Sequence, residues 1–206
     1  MRILVLNANT TDFVTETAAA EARRVASPGT EIIPVTADFG ASIVATRAEH
    51  AVAEHAAVVL AARHAPGCDA VVIAVSYDTG LKALREMLSI PVVGMTEAAL
   101  LTACMLGGPI GLISFGRRVW PIYRELIEHD GAESIVVLGA VMAGAARRIE
   151  DRVPVPVLDG MRAAVPQVEA LVRMGLRKPS TGSYAPTGER VTRGLDPALA
   201  AALGKK

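Results

Sequence analysis

Four short polar stretches of this 206-residue chain carry the groups that could bind or transform a ligand. Asn7, Asn9, Thr10 and Thr11 follow the apolar run from Ile3 to Leu6. Ser76, Tyr77, Asp78 and Thr79 follow Val71 to Ile73. Ser114 ends a run that starts at Ile110, and Gly139 opens the turn after Ile135 to Leu138. Each stretch stands where a buried strand hands over to a helix. Free backbone N–H groups and the positive end of a helix dipole favour an anion or a developing oxyanion there. In a parallel sheet these turns share the carboxyl edge and converge on one crevice. Helix capping explains any single turn; several converging turns point to a small acidic ligand. Asn9, Thr10, Ser76, Thr79, Ser114 and Gly139 are therefore the expected binding groups. Asp78 and Tyr77 are the nearest side chains that can hold a proton.

Other motifs are weaker. His50 and His55 are five residues apart and would point about 140° apart on one helix, so they cannot chelate one metal. No metal site is expected, and a solvated helix face explains them better. Gly107-Gly108-Pro109-Ile110-Gly111 precedes a strand rather than following one, which excludes a dinucleotide fingerprint. Cys68 and Cys104 are too few for a disulfide framework and are expected to be buried thiols.

The elements that must position these groups alternate strand and helix. Strands are expected at Ile3–Leu6, Glu31–Thr36, Ala70–Ala74 and Pro91–Gly94, with helices at Phe13–Ala26, Ile43–His64, Leu81–Leu88 and Glu97–Leu106. After Gly107-Gly108 the pattern restarts. Strands at Ile110–Ser114, Ser134–Leu138 and Val155–Leu158 alternate with helices at Arg118–His129, Val141–Asp151 and Gly160–Met174. This is an α/β chain with two tandem, doubly wound parallel-sheet lobes. The expected division is 1–107, a smaller second lobe 108–176, and a tail 177–206. Asp196-Pro197 starts a short helix in that tail.

Composition agrees with this class. Apolar residues make up 51% and aromatic residues 3%, with 21 basic and 21 acidic side chains giving zero formal charge. That balance offers nothing to nucleic acid or an anionic membrane. No apolar run approaches a transmembrane span and the N-terminus reads as a strand rather than an export signal, so the expected compartment is the cytoplasm.

The turns and the strands before them resemble the aspartate/glutamate/hydantoin racemase superfamily, most closely its hydantoin/allantoin branch. The resemblance rests on Arg2-Ile3-Leu4-Val5-Leu6-Asn7-Ala8-Asn9-Thr10-Thr11, on Ala74-Val75-Ser76-Tyr77-Asp78-Thr79-Gly80-Leu81, on Pro91-Val92-Val93-Gly94 and on Asp130-Gly131-Ala132-Glu133. Leu138-Gly139-Ala140-Val141-Met142-Ala143 and Val155-Pro156-Val157-Leu158-Asp159-Gly160 extend it, and it covers about residues 1–186. It implies a cofactor-independent enzyme that moves a proton at the α-carbon of a small carboxylate- or imide-bearing substrate. One thiol on each face removes and returns that proton, because cysteine's pKa can be tuned near neutral.

The resemblance places those thiols at Val75 and Ala140, and neither residue can carry a proton. Losing a general acid–base group costs about 10²–10⁴ in rate. Surviving chemistry would fall to Asp78 and Tyr77, with Cys104 a remote third. Ser76 resembles the hydroxyl used by arylmalonate decarboxylases, although that branch keeps the second thiol. The alternative is a catalytically silent member that binds a small anion or serves as a subunit. The chain is also shorter than the family between Ser114 and Ser134. A smaller second lobe is expected, its exposed edge covered by the tail or by another copy in a homo-oligomer.

Overall fold

The continuous apolar runs become buried parallel strands, as two-sided strands should. The structure, a computed structural model, describes residues 1–114, 125–176, 178–179, 181–185, 188 and 191–204. The first sheet contains β1 (Arg2–Asn7), β2 (Glu31–Thr36), β3 (Ala70–Ile73) and β4 (Val92–Gly94) in the order β2-β1-β3-β4. All pairs are parallel, with Leu6 opposite Val35 on one side and Ile73 on the other. The second sheet contains β5 (Ile110–Ile113), β6 (Ser134–Val137) and β7 (Val157–Asp159) in the order β5-β6-β7, again parallel.

Alternating side chains sort the first sheet into two packed faces. Leu4, Leu6, Val71 and Ile73 pack on α2 (Arg47–His64) and α3 (Leu81–Met87). Ile3, Val5, Ala70 and Val72 pack on α1 (Asp12–Val25), α4 (Met95–Leu106) and α7 (Gly160–Arg173). The second sheet buries Ile113, Ile135, Val137 and Val157 against α6 (Ala145–Ile149) and a helical turn α5 (125–128). Its other face turns toward α4 through Val136. Helix α4 therefore lies between the two sheets.

Helix α7 follows the last strand of the second sheet yet packs back on the first. Its buried Glu169 carboxylate accepts from the Ser27 backbone N–H at 3.0 Å, the Ser27 hydroxyl at 2.5 Å and the Thr30 hydroxyl at 2.6 Å. Gln167 Nε2 donates to the Ala98 carbonyl on α4 at 2.8 Å. The tail helix α8 (Pro197–Leu203) docks on α2, with Leu199 beside Val59 and Ala62 and with Asp196 paired to Arg63 at 2.9 Å.

Several expectations change in detail. The helix expected from Ile43 starts at Arg47, because Thr46 and Glu49 form a reciprocal capping box that fixes its first turn. The helix expected over Val141–Asp151 is interrupted. Gly144 adopts φ 76°, so a 3-10 turn at Ala140–Met142 precedes α6. The strand expected to include Ser114 ends at Ile113. Cys68 is buried as expected, whereas Cys104 is exposed because it stands on the outer side of α4. Most of the helix expected over Arg118–His129 lies outside the described residues.

Candidate functional site at the carboxyl edges

The turns after β3 and β6 end on the same backbone course. Thr79 and Gly80 have φ/ψ of −51/122° and 84/0°; Ala143 and Gly144 have −55/131° and 76/0°. Each pair is preceded by a three-residue 3-10 turn and followed by a helix. This register sets Val75 opposite Gly139 and Ser76 opposite Ala140. The thiol position implied by resemblance in the second lobe thus stands one residue beyond the backbone equivalent of Val75. Neither reading supplies a proton carrier. Val75 and Ala140 are each 5% exposed, Val75 packed with the α2 face and Ala140 with the α1 face.

The first turn, after β1, is internally wired. Asn7 is fully buried, and its Nδ2 donates to Asn9 Oδ1 at 3.1 Å and to the Thr15 hydroxyl at 2.9 Å. Asn9 Oδ1 also accepts from the Thr11 backbone N–H at 3.0 Å, which fixes the loop entering α1. The Thr10 backbone N–H donates to the Ala41 carbonyl at 3.2 Å. Helix α1 packs against the Ala140–Met142 turn, so the helix after β1 touches the carboxyl edge of the second sheet. Glu21 on α1 crosses this junction. Its carboxylate binds Arg24 at 2.6 Å and Arg147 of α6 at 2.8 Å while 3% exposed. Burial alone would raise its pKa, but the two guanidinium groups hold it below the usual carboxylate value.

Asp78 is placed differently from a free base. Its Oδ1 accepts from the Thr96 backbone N–H at 2.9 Å and its Oδ2 from that of Glu97 at 2.7 Å. It caps α4 from a distant loop, since the N-cap residue Gly94 has no side chain to do so. Burial pushes its carboxyl up, against the two N–H donors that favour the charged form. Tyr77 and Asp78 both have positive φ, 65° and 52°, and Tyr77 is 81% exposed.

The other expected binding groups scatter. Thr79 is buried, and its hydroxyl shares a 3.3 Å hydrogen bond with His50 Nδ1. Ser76 is half-buried, Ser114 exposed, and Gly139 buried with φ 107°. Asn9 and Thr10 stand in the turn after β1 and Gly139 in the turn after β6. Asp78, Tyr77 and Thr79 face α2 and α4 instead.

Two groups escaped the sequence reading. Asp159 ends β7 and accepts from the Arg162 backbone N–H at 3.1 Å and that of Gly144 at 3.2 Å, tying the second turn to α7; burial raises its carboxyl. Its place before Gly160, directly after a strand, is an N-cap signal that could have marked it. Glu21 shows locally only its i,i+3 pair with Arg24; its second partner, Arg147, is 126 residues away. Among the described residues no group of three or more His, Cys, Asp or Glu is arranged to hold a metal. No helix among them is long and apolar enough to cross a membrane.

Comparison with known proteins identifies the family. A family model described as Asp/Glu/Hydantoin racemase matches residues 3–137. Hydantoin racemase from Paenarthrobacter aurescens is 31% identical, with 92% of this chain and 99% of that protein covered. The alignment spans 234 positions, more than this chain's 206 residues, so the relative carries segments that this chain lacks. Allantoin racemase from Pseudomonas fluorescens superposes with a TM-score of 0.84 at 35% identity, covering 94% of this chain and 100% of that one. Allantoin racemase from Klebsiella pneumoniae gives 0.87 at 29%, covering 97% and 98%. Arylmalonate decarboxylase, at 14% identity and 0.60, shares the fold alone. With the family model matching well over half of its length, the chain belongs to the Asp/Glu/hydantoin racemase family.

Proposed function

We propose that this chain binds a small carboxylate- or imide-bearing molecule of the hydantoin or allantoin type where its two carboxyl edges meet, and acts on it without a cofactor. The observation that carries this reading is the doubled turn after β3 and β6. Two turns that end alike, one after a strand of each sheet, stand at carboxyl edges where backbone N–H groups suit a developing oxyanion. The relatives named as hydantoin and allantoin racemases support the ligand class.

With aliphatic residues at Val75 and Ala140, α-proton exchange falls to Asp78, the one carboxylate on the turn after β3. A second reading, a silent small-anion binder, is favoured by one specific observation: both Asp78 oxygens are already engaged by α4. Incubation with enantiopure hydantoins, allantoin, aspartate and glutamate in D₂O separates the two. Deuterium at the α-carbon that disappears in Asp78→Asn supports the enzyme. Ligand-induced stabilisation with no exchange supports the binder.

Self-assembly belongs to the same proposal. Met105 and Leu106 on α4 and Leu112 on the edge strand β5 are each at least half exposed, a face another copy would cover. Sedimentation velocity that finds only monomer at micromolar concentration contradicts it.

A further inference from the structure

A groove of about 530 Å³ opens beside the turn after β3, between α2, α3 and α4. Its walls are His50 and Glu54 of α2, Tyr77 and Asp78, the start of α3 at Leu81 and Lys82, and the first turns of α4. The volume lies within the range of about 300–1,000 Å³ typical of small-molecule sites. Most of its charged lining is already committed. Asp78 caps α4, Glu97 pairs with Arg85 at 3.0 Å, and His50 is bonded to Thr79. Two charges of opposite sign remain: Glu54 and Lys82 make no hydrogen bond or ion pair with any described residue, nor with each other.

The floor between them is apolar, made by Leu81, Leu100 and Leu101. The Thr96 hydroxyl beside that floor is buried with no partner among the described residues, an orphan of the kind a bound polar group or water usually satisfies. Tyr77, in the left-handed region, is exposed beside it.

We propose that this groove binds a free α-amino acid with an aliphatic side chain, its carboxylate on Lys82, its ammonium on Glu54 and its side chain on Leu81, Leu100 and Leu101. A lone carboxylate would leave Glu54 facing the ligand unpaired, and a lone amine would do the same to Lys82. Only a zwitterion answers both charges, and only an apolar side chain covers the leucine floor. Aspartate or glutamate would set a second carboxylate against that floor, at the cost of desolvating it. The groove adjoins the turn after β3, but Glu54, Lys82 and the three leucines belong to α2, α3 and α4 rather than to that turn.

Calorimetric titration of the full-length protein with leucine tests it, with 4-methylpentanoate and 3-methylbutylamine as single-charge probes. Saturable millimolar binding of leucine is expected, with each single-charge probe at least about tenfold weaker, the equivalent of about 1.4 kcal/mol. Lys82→Met and Glu54→Gln, both at exposed positions, should each weaken leucine by a similar factor while leaving the circular dichroism unchanged. They should also leave any hydantoin binding between the lobes as it was. No saturable binding of leucine, equal binding of 4-methylpentanoate, or unchanged affinity in both variants would each overturn the proposal.

Discussion

The carboxyl carbon of Asp78 lies 2.2 Å from where a Cβ on residue 94 would stand. Gly94 therefore exists to admit the Asp78 carboxylate to the first backbone N–H groups of α4. Its own φ of −83° is open to any residue, so the constraint is steric rather than conformational. Gly94→Ala should displace the carboxylate and destabilise the fold by about 1–3 kcal/mol, as overpacking does. Urea unfolding measures this; an unchanged midpoint would mean that the cap is dispensable.

The pH dependence of the Asp78 cap has a defined sign. Burial raises the folded-state pKa of Asp78, so the protonated form persists longer in the folded chain than in the unfolded one. Its contribution to stability is full below the ordinary carboxylate value of about 3.9 and is lost as pH rises through the folded pKa. The cost of Asp78→Asn relative to the natural chain should therefore be greatest in acid and shrink toward neutrality. Urea midpoints of both proteins, taken from about pH 4 to about pH 7, check the trend.

Glu169 should behave in the opposite way. Burial opposes its charge, but the Ser27 and Thr30 donors and Arg173 hold its pKa below the usual value. Stability from this tether is present above the unfolded pKa of about 4.3 and lost as pH falls through the folded one. Glu169→Gln should cost about 1.5–3 kcal/mol at neutral pH, the range for hydrogen bonds to a charged group. The cost should fall away in acid, and thermal melts at several pH values read both.

Restoring proton carriers at the two aliphatic positions should raise catalysis. The double variant Val75→Cys with Ala140→Cys should exchange the α-proton of an enantiopure hydantoin in D₂O at least about 10²-fold faster than the natural chain. Each single variant should gain less, since one thiol serves one face. Equal rates in all four proteins would show that the turns no longer hold a substrate between them.

Much of the scaffold was legible in the sequence because it is local. Val71 to Ile73 and Ile135 to Val137 are short apolar runs bounded by turns, and both became central parallel strands. Thr46 and Glu49 spelled a capping box that periodicity overrode, because the alanines before and after it continue the same helical pattern. Gly144 sat inside an apolar helical run, and only its positive φ shows the break. The site was less legible, since its wiring is non-local. Asp78 reads as a turn carboxylate until Thr96 and Glu97 fold over it, and nothing near Glu21 announces Arg147. The second lobe's register, Gly139 rather than Ala140 opposite Val75, is carried by dihedral angles that residue types do not encode.

The central claim, that the junction between the lobes binds a hydantoin- or allantoin-type ligand, is tested most directly by amide chemical shifts. A ¹H–¹⁵N correlation spectrum of the labelled protein, titrated with a 5-substituted hydantoin and with allantoin, reads the site residue by residue. The account predicts saturable shifts at Asn9, Thr10, Ser76, Gly139 and Gly144, with the Glu54 and Lys82 amides unmoved. An unchanged spectrum at millimolar ligand, or shifts confined to residues away from the two turns, would contradict it.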